Sequence, residues 1–144
     1  MPKTKILASA QDVENAFYEA LERADLELMM SIWADDEEIV CVHPGGPRLI
    51  GYVAIRDAWR RIFENGNLFD IQISQLSKVT TPFAVMHSVL EEIRLRSKTD
   101  LMAPVTATNL YVRGAMGWRM VSHHASPVPP VPTESKSETP KVLH

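Results

Sequence analysis

The chain holds three histidines whose positions invite proton chemistry. His43 ends the run Ile39-Val40-Cys41-Val42-His43 and stands before Pro44-Gly45-Gly46-Pro47. His123 and His124 adjoin each other in the last apolar stretch, Gly117 to Pro127. Imidazole titrates near neutrality, so each can take or give a proton under ordinary conditions. His43 is a candidate general base at a strand end; the alternative is a histidine bonded to a backbone carbonyl. Successive strand residues face opposite sides, so His123 and His124 cannot share one cavity on a regular strand. Cys41 lies two residues before His43 and shares its face. A thiolate nucleophile there is conceivable, but a small buried cysteine is the stronger reading. Asp35-Asp36-Glu37-Glu38 offers four adjacent acids. Adjacent side chains diverge, which favours a solvated corner over a metal site. A centre built on His43 and His124 would need a third ligand, so the sequence predicts no metal.

These residues need elements to hold them. Ser9 and Asp12 form a capping pair. Behind them Val13, Ala16, Phe17, Ala20 and Leu21 recur at helical spacing, with Asp12, Glu14, Glu19, Glu22 and Arg23 on the other faces. Asp25 caps a second helix with Leu26, Met29, Met30 and Trp33 as its main stripe. Residues 39–43 form a strand, apolar on both faces. After the turn, Gly51 precedes a third helix with Tyr52, Ile55, Trp59, Ile62 and Phe63 on one side. Asn65-Gly66 stops it. From Leu68 the period becomes two, and a slip near Ser74-Gln75-Leu76 predicts a bulge. Phe83 to Arg96 is a long strand, with Val85, His87, Val89, Glu91, Ile93 and Leu95 on one face. Residues 97–104 connect it to a hairpin of Val105–Arg113 and the final strand. Helices early and strands late mean an α+β fold, helices packed on a curved antiparallel or mixed sheet, with a cone between them.

Composition sets bounds. The 144 residues suit one domain, residues 1–127, with a proline-rich tail at 128–144. At 45% hydrophobic the chain can bury an ordinary core. A net charge of -3 without a basic cluster argues against a nucleic-acid partner. One cysteine fits a reducing compartment. No apolar run can span a bilayer and no leader pattern opens the chain. The expectation is a cytoplasmic protein without membrane contact.

Three groups of residues carry a resemblance across about residues 9 to 127: Ile32-Trp33-Ala34-Asp35-Asp36, His43-Pro44 with Gly51 and Ile55-Arg56, and Thr108-Asn109 with Trp118 through Ser126. In these the chain resembles the nuclear transport factor 2-like superfamily, particularly its SnoaL-like members. That superfamily hosts isomerases, cyclases, dehydratases, transport adaptors and assembly domains, so the fold does not choose an activity. Against ketosteroid isomerase, the general-base aspartate falls at His43, the oxyanion-hole tyrosine near Phe17 and the protonated acid near Asn109. All three positions are altered, so that activity is not carried over. The calcium/calmodulin-dependent kinase association domain is similar across Trp118 to Ser126, with a histidine at His124.

The resemblance assigns one parity set of the last strand, Trp118, Met120, Ser122, His124 and Ser126, to the pocket, with Asn109, Tyr111 and Arg113 of the preceding strand facing the same way. Asn109 is then either a donor for a substrate carbonyl or a structural tie to His124 or Tyr111. Phe17, Trp33, Trp59 and Met86 are expected as pocket wall beside Tyr111, Ser122 and His124. Two functions stay open. One is an acid–base enzyme without cofactor, acting on a small hydrophobic carbonyl compound, with His43 as base and Asn109 on the enolate oxygen. The other is a ligand-binding or assembly domain. The outer sheet face, with Leu110, Val112, Val121 and Ala125 beside Arg119 and His123, is expected to form a homodimer.

Overall fold

The computed structural model describes residues 7–66, 68–96 and 103–129. The tail from 130 onward lies outside them, as do residues 97–102 of the expected connection. Helix α1 spans Ala10–Arg23, and the Ser9 side chain accepts from the Asp12 amide at 3.0 Å. Helix α2, Leu26–Ile32, is capped by Asp25, which accepts from Leu28 at 3.0 Å. Each oxygen satisfies an amide that the first helical turn leaves without a partner. Between them Ala24 turns left-handed at φ 53°, and the Asp25 amide donates back to the Ala20 carbonyl at 3.0 Å. Helix α3 is Tyr52–Glu64, and Gly66 after it takes φ 78°.

The strands are β1 Val40–Val42, β2 Arg48–Ile50, β3 Phe69–Thr80, β4 Ala84–Leu95, β5 Val105–Gly114 and β6 Gly117–Pro127. They form one mixed, curved, unclosed sheet in the order β2-β1-β6-β5-β4-β3. β1 runs parallel to β6, and every other neighbouring pair is antiparallel. The fold is α+β, with helices on the inner face of the sheet. β2 was not expected. It follows the Pro44-Gly45-Gly46-Pro47 turn and is too short to show a period of its own.

Two register shifts decide which side chains face inward. In β3 the shift falls between Gln75 and Ser77, where the sequence predicts a bulge. The second was not expected. Ser122 pairs with Leu110, but Met120 pairs with Tyr111, so Val121 is the extra residue. An extra residue inverts the parity beyond it. Met120, His123 and Ala125 are therefore all buried, while His124 and Ser126 are exposed. No helix among the described residues is long and apolar enough to cross a membrane.

Candidate functional site

The inner face of the sheet carries an apolar core and, through its middle, a buried polar chain. Glu14 and Tyr18 are one turn apart on α1 and so point the same way. Both are buried, together with His87 and Glu91 of β4, Asn109 and Tyr111 of β5, and His123 of β6. Buried polar groups are costly unless bonded. Here the bonds run from strand to helix. Glu14 Oε2 accepts from the Tyr111 hydroxyl at 2.7 Å and lies 2.9 Å from His87 Nδ1, while Glu14 Oε1 accepts from Gln75 at 2.7 Å. Asn109 Nδ2 reaches both Glu14 Oε2 at 3.3 Å and the Tyr18 oxygen at 3.1 Å. Tyr18 in turn donates to Glu91 Oε2 at 2.6 Å.

His123 Nδ1 lies 2.6 Å from Asn109 Oδ1. An amide oxygen only accepts, so Nδ1 carries the hydrogen. Burial, with His43 and His124 near, pushes His123 down to about 3, so the ring is neutral and its Nε2 is a bare acceptor. That nitrogen stands 4.0 Å from Glu91 Oε2. Glu91 is pushed up to about 7 by burial; the Tyr18 bond works against this, and the charge of Glu14 adds to it. Burial would raise Glu14 as well. Its bonds from Gln75, Tyr111 and His87 outweigh that and hold it below the usual carboxylate range. Burial raises the hydroxyls of Tyr18 and Tyr111 far above the ordinary tyrosine value, so both remain donors.

Glu91 and His123 open onto a cavity of about 180 Å³. It is walled by Leu21, Trp59, Ile62, Phe69, Ile71 and Ile93, with His43 and Pro44 at one side. His43 rests edge-on against Trp59, ring centroids 4.6 Å apart, and its Nε2 is 3.7 Å from the Cys41 sulfur. Burial lowers the His43 pKa, so this ring too favours the neutral form. Burial, with the charge of Glu91, pushes the Cys41 thiol up to about 12, which removes it as a nucleophile. The indole N–H groups of Trp33 and Trp59 are buried without a partner.

Three larger hollows open at the surface among the described residues. One, of about 600 Å³, lies between α1 and β3. A second, of about 650 Å³, is bordered by Trp33, Asp35, Met116 and Arg119. The third, of about 480 Å³, lies beside Asp36, Glu37 and Tyr52. None of them brings an acid and imidazoles against apolar walls. Among the described residues no group of three His, Cys, Asp or Glu side chains could hold a metal ion.

Of the residues singled out in the sequence, His43 and Trp59 line the cavity. Phe17 packs behind it, its ring 4.7 Å from His123 and 5.7 Å from Trp59. Tyr111 and Asn109 belong to the buried chain. Both Asn109 amide atoms are engaged inside the protein, so the expected role on a substrate oxygen gives way to that of a tie, to His123, Tyr18 and Glu14. Trp33 borders the outer hollow instead. Met86 and Ser122 pair with Leu110 on the outer face, and His124 is exposed there. The bulge at Val121 moved Ser122 and His124 out; Met86 is out because its neighbour His87 is in. The same inversion removes His123 and Ala125 from the expected outer patch.

Glu14, Glu91, His87 and His123 were not assigned as site residues from sequence. A signal existed for Glu91, which interrupts the apolar face of β4. None marked Glu14, a charged residue among others on a helix.

A family model described as SnoaL-like domain matches residues 11–132. A candidate calcium/calmodulin-dependent protein kinase type II association domain from Thiobacillus denitrificans is 34% identical, with 87% of this chain and 99% of that one covered, at a TM-score of 0.82. A candidate dehydratase of the nuclear transport factor 2-like family from Streptomyces avermitilis is 32% identical, covering 82% of this chain and 92% of the other, at a TM-score of 0.73. A ketosteroid isomerase-like protein from Erwinia carotovora shares the fold at 20% identity, covering 83% of this chain and 94% of the other, at a TM-score of 0.68. Among curated proteins none matches the chain.

Proposed function

This chain belongs to the SnoaL-like domain family, and from that premise we propose that it is a small acid–base lyase that removes water from a hydroxylated carbonyl compound. The observation that carries the reading is one buried carboxyl and two neutral imidazoles lining a single apolar cavity. Groups whose environments pull their proton affinities to different levels can divide acid and base roles at one pH.

His43 takes the proton from the carbon beside the carbonyl. The electron pair of that C–H bond forms the new C=C bond as the C–O bond breaks. Protonated Glu91 gives its proton to the departing hydroxyl, which leaves as water. The elimination ends with imidazolium at His43 and carboxylate at Glu91. Glu91 is raised to about 7 and His43 is lowered, so the proton returns downhill from His43 to Glu91. His123 and Asn109 are positioning residues that hold the floor beside Glu91. The likeness to a candidate dehydratase supports this choice of reaction.

The test follows enone absorbance from cyclic β-hydroxy ketones in wild type, His43→Ala and Glu91→Gln. Turnover in wild type, lost in both variants, is expected. Background rates in all three would sink the reading.

The likeness to an association domain favours a second reading, assembly without turnover. Two copies would pair through the outer sheet face, where Val79 and Val112 are exposed and Leu110 is half-buried. Sedimentation equilibrium of wild type and Leu110→Asp checks it. A single 16.2 kDa species for wild type excludes the dimer.

A further inference from the structure

One acceptor on the cavity floor is left unanswered, and the buried chain behind it fixes which atom that is. Glu14 is held in its charged form, and a carboxylate only accepts. The Asn109 amide nitrogen, 3.3 Å from Glu14 Oε2, therefore points that way. The amide oxygen is thereby turned to His123, whose Nδ1 stands 2.6 Å from it and carries the hydrogen. In a neutral ring the bond made at one nitrogen decides the state of the other. Nε2 is left as a lone pair without a hydrogen.

Among the described residues nothing serves that lone pair. Glu91 Oε2 comes within 4.0 Å, beyond hydrogen-bonding range, and already takes the Tyr18 hydroxyl. Among the described residues, the indole nitrogens of Trp33 and Trp59 are the only side-chain polar atoms both sealed off and unpartnered. Nε2 has no partner either, so it is open to the cavity that His123 lines. His123 is 3% exposed, which makes its Nε2 a buried acceptor facing a ligand space. Glu91 Oε1 is open by the same reasoning, and with Oε2 taken up by Tyr18 it is the oxygen that carries the proton. The floor therefore asks for one group that gives a hydrogen to Nε2 and takes one from Glu91. A hydroxyl does both, whereas an ammonium gives but cannot take.

We propose that the ligand is a free alcohol whose hydroxyl donates to His123 Nε2 and accepts from Glu91, so that His123 touches the substrate itself besides holding the floor. The chemistry rests on the dehydration reading above. The leaving oxygen keeps its own hydrogen, held on His123, and gains a second from Glu91. It departs as water when the C–O bond breaks, and His123 stays neutral throughout. Asn109 acts through His123 by fixing its tautomer. An ether has no hydrogen to offer and leaves Nε2 unpaired. Sites built around a hydroxyl reject analogues that lack it.

Calorimetric titration uses cyclohexanol and 2-decalol, each beside its methyl ether. None has a carbonyl, so none is consumed. In the unaltered protein each alcohol that binds should bind more tightly than its ether. An ether that binds as tightly, cyclohexylamine binding more tightly than cyclohexanol, or no binding by either alcohol overturns the proposal. His123→Phe keeps an aromatic ring against Phe17 and removes the acceptor. The alcohol should lose at least ten-fold there and the ether less than two-fold. Equal losses, or none, assign the preference to something other than Nε2. Nuclear magnetic resonance of the unaltered protein needs no variant. Nitrogen-15 spectra should place the His123 hydrogen on Nδ1, and Overhauser contacts should run from its ring protons to the carbinol C–H of bound alcohol. A hydrogen on Nε2, or contacts to the far side of the ligand instead, overturns the proposal. Alcohol preference without enone formation leaves the ligand class standing and removes the dehydration reading. Enone formation at equal rates from 3-hydroxycyclohexanone and 3-methoxycyclohexanone does the reverse.

Discussion

Two glutamates lie in the same protein interior, 2% and 3% exposed, and come to opposite protonation states. Glu14 meets donors from Gln75, His87, Asn109 and Tyr111. Glu91 meets one, from Tyr18. Burial pushes both carboxyls up, yet the first is held low and the second rises to about 7. Solvent exposure alone therefore does not separate them. Glu91 is the more deeply desolvated of the two, and Glu14 accepts more hydrogen bonds in its charged form. The saturated carboxylate ties α1 to β3, β4 and β5. The underserved one borders the cavity and keeps a proton to give.

The difference predicts a separation of effects, and the largest is on turnover. Glu91→Gln should lower kcat by about 10²–10⁴-fold, the span of a lost general acid. Near pH 4.5, where the wild-type carboxyl is neutral like the amide, it should change stability by no more than about 1 kcal/mol, because a single hydrogen bond is altered. Stopped-flow enone formation and urea unfolding of the same preparation check both. A variant that unfolds readily but still turns over would invert the comparison.

Glu14→Gln should do the opposite. It removes the charge that Tyr111, His87 and Asn109 all address and leaves their donors buried. Breaking a buried charged network costs about 3–5 kcal/mol. The urea midpoint should fall accordingly, while kcat per folded molecule stays within about ten-fold.

The pH dependence of stability separates the two carboxyls again. Glu91 has a folded pKa of about 7 against an ordinary 4.5. Between those values the folded state holds more protons than the unfolded one, so this group makes stability fall as pH rises. The span corresponds to about 3 kcal/mol. Glu14 has the opposite sign. Its lowered folded pKa adds stability above 4.5 that is lost as pH falls through the folded value. His123, lowered from 6.5 to about 3, also adds stability as pH rises across that interval. It opposes Glu91 in an overlapping range, so the raw curve hides both. Subtracting the Glu91→Gln curve from wild type isolates Glu91. The difference should decline between about pH 4.5 and 7; a flat difference would mean that Glu91 is an ordinary carboxylate.

The two glutamates also mark how far sequence reading reaches. The stripes of α1 and α3, the caps at Ser9 and Asp25, and the bulge near Leu76 all follow from local chemistry, and each stands where its spacing places it. His43 was legible as a strand-end histidine. Glu91 was half legible, since β4 alternates cleanly and puts it among Val85, His87 and Val89. Glu14 was not, because its partner Tyr111 is 97 residues away. Only the folded sheet makes burying that charge tolerable. The choice between His123 and His124 failed on one extra residue. Val121 breaks the period of two, and nothing in Met120-Val121-Ser122 announces it.

The smallest effect concerns Tyr18, which links the two ends. Its hydroxyl donates to Glu91 and accepts from Asn109, which also touches Glu14. Tyr18→Phe deletes both bonds and keeps the ring against Phe17, whose centroid is 4.8 Å away. The stability loss should be about 1–2 kcal/mol. The more telling readout is Glu91 itself. The Tyr18 bond lowers its pKa against the pull of burial, so removing that bond should move the pKa up. A general acid works only while protonated, and activity falls as pH rises through its pKa. The alkaline limb of the pH–rate profile should therefore shift upward by about one unit in Tyr18→Phe. A downward shift would mean that Tyr18 does not donate to the acid. An unmoved limb would assign it to another group and break the link between the two glutamates.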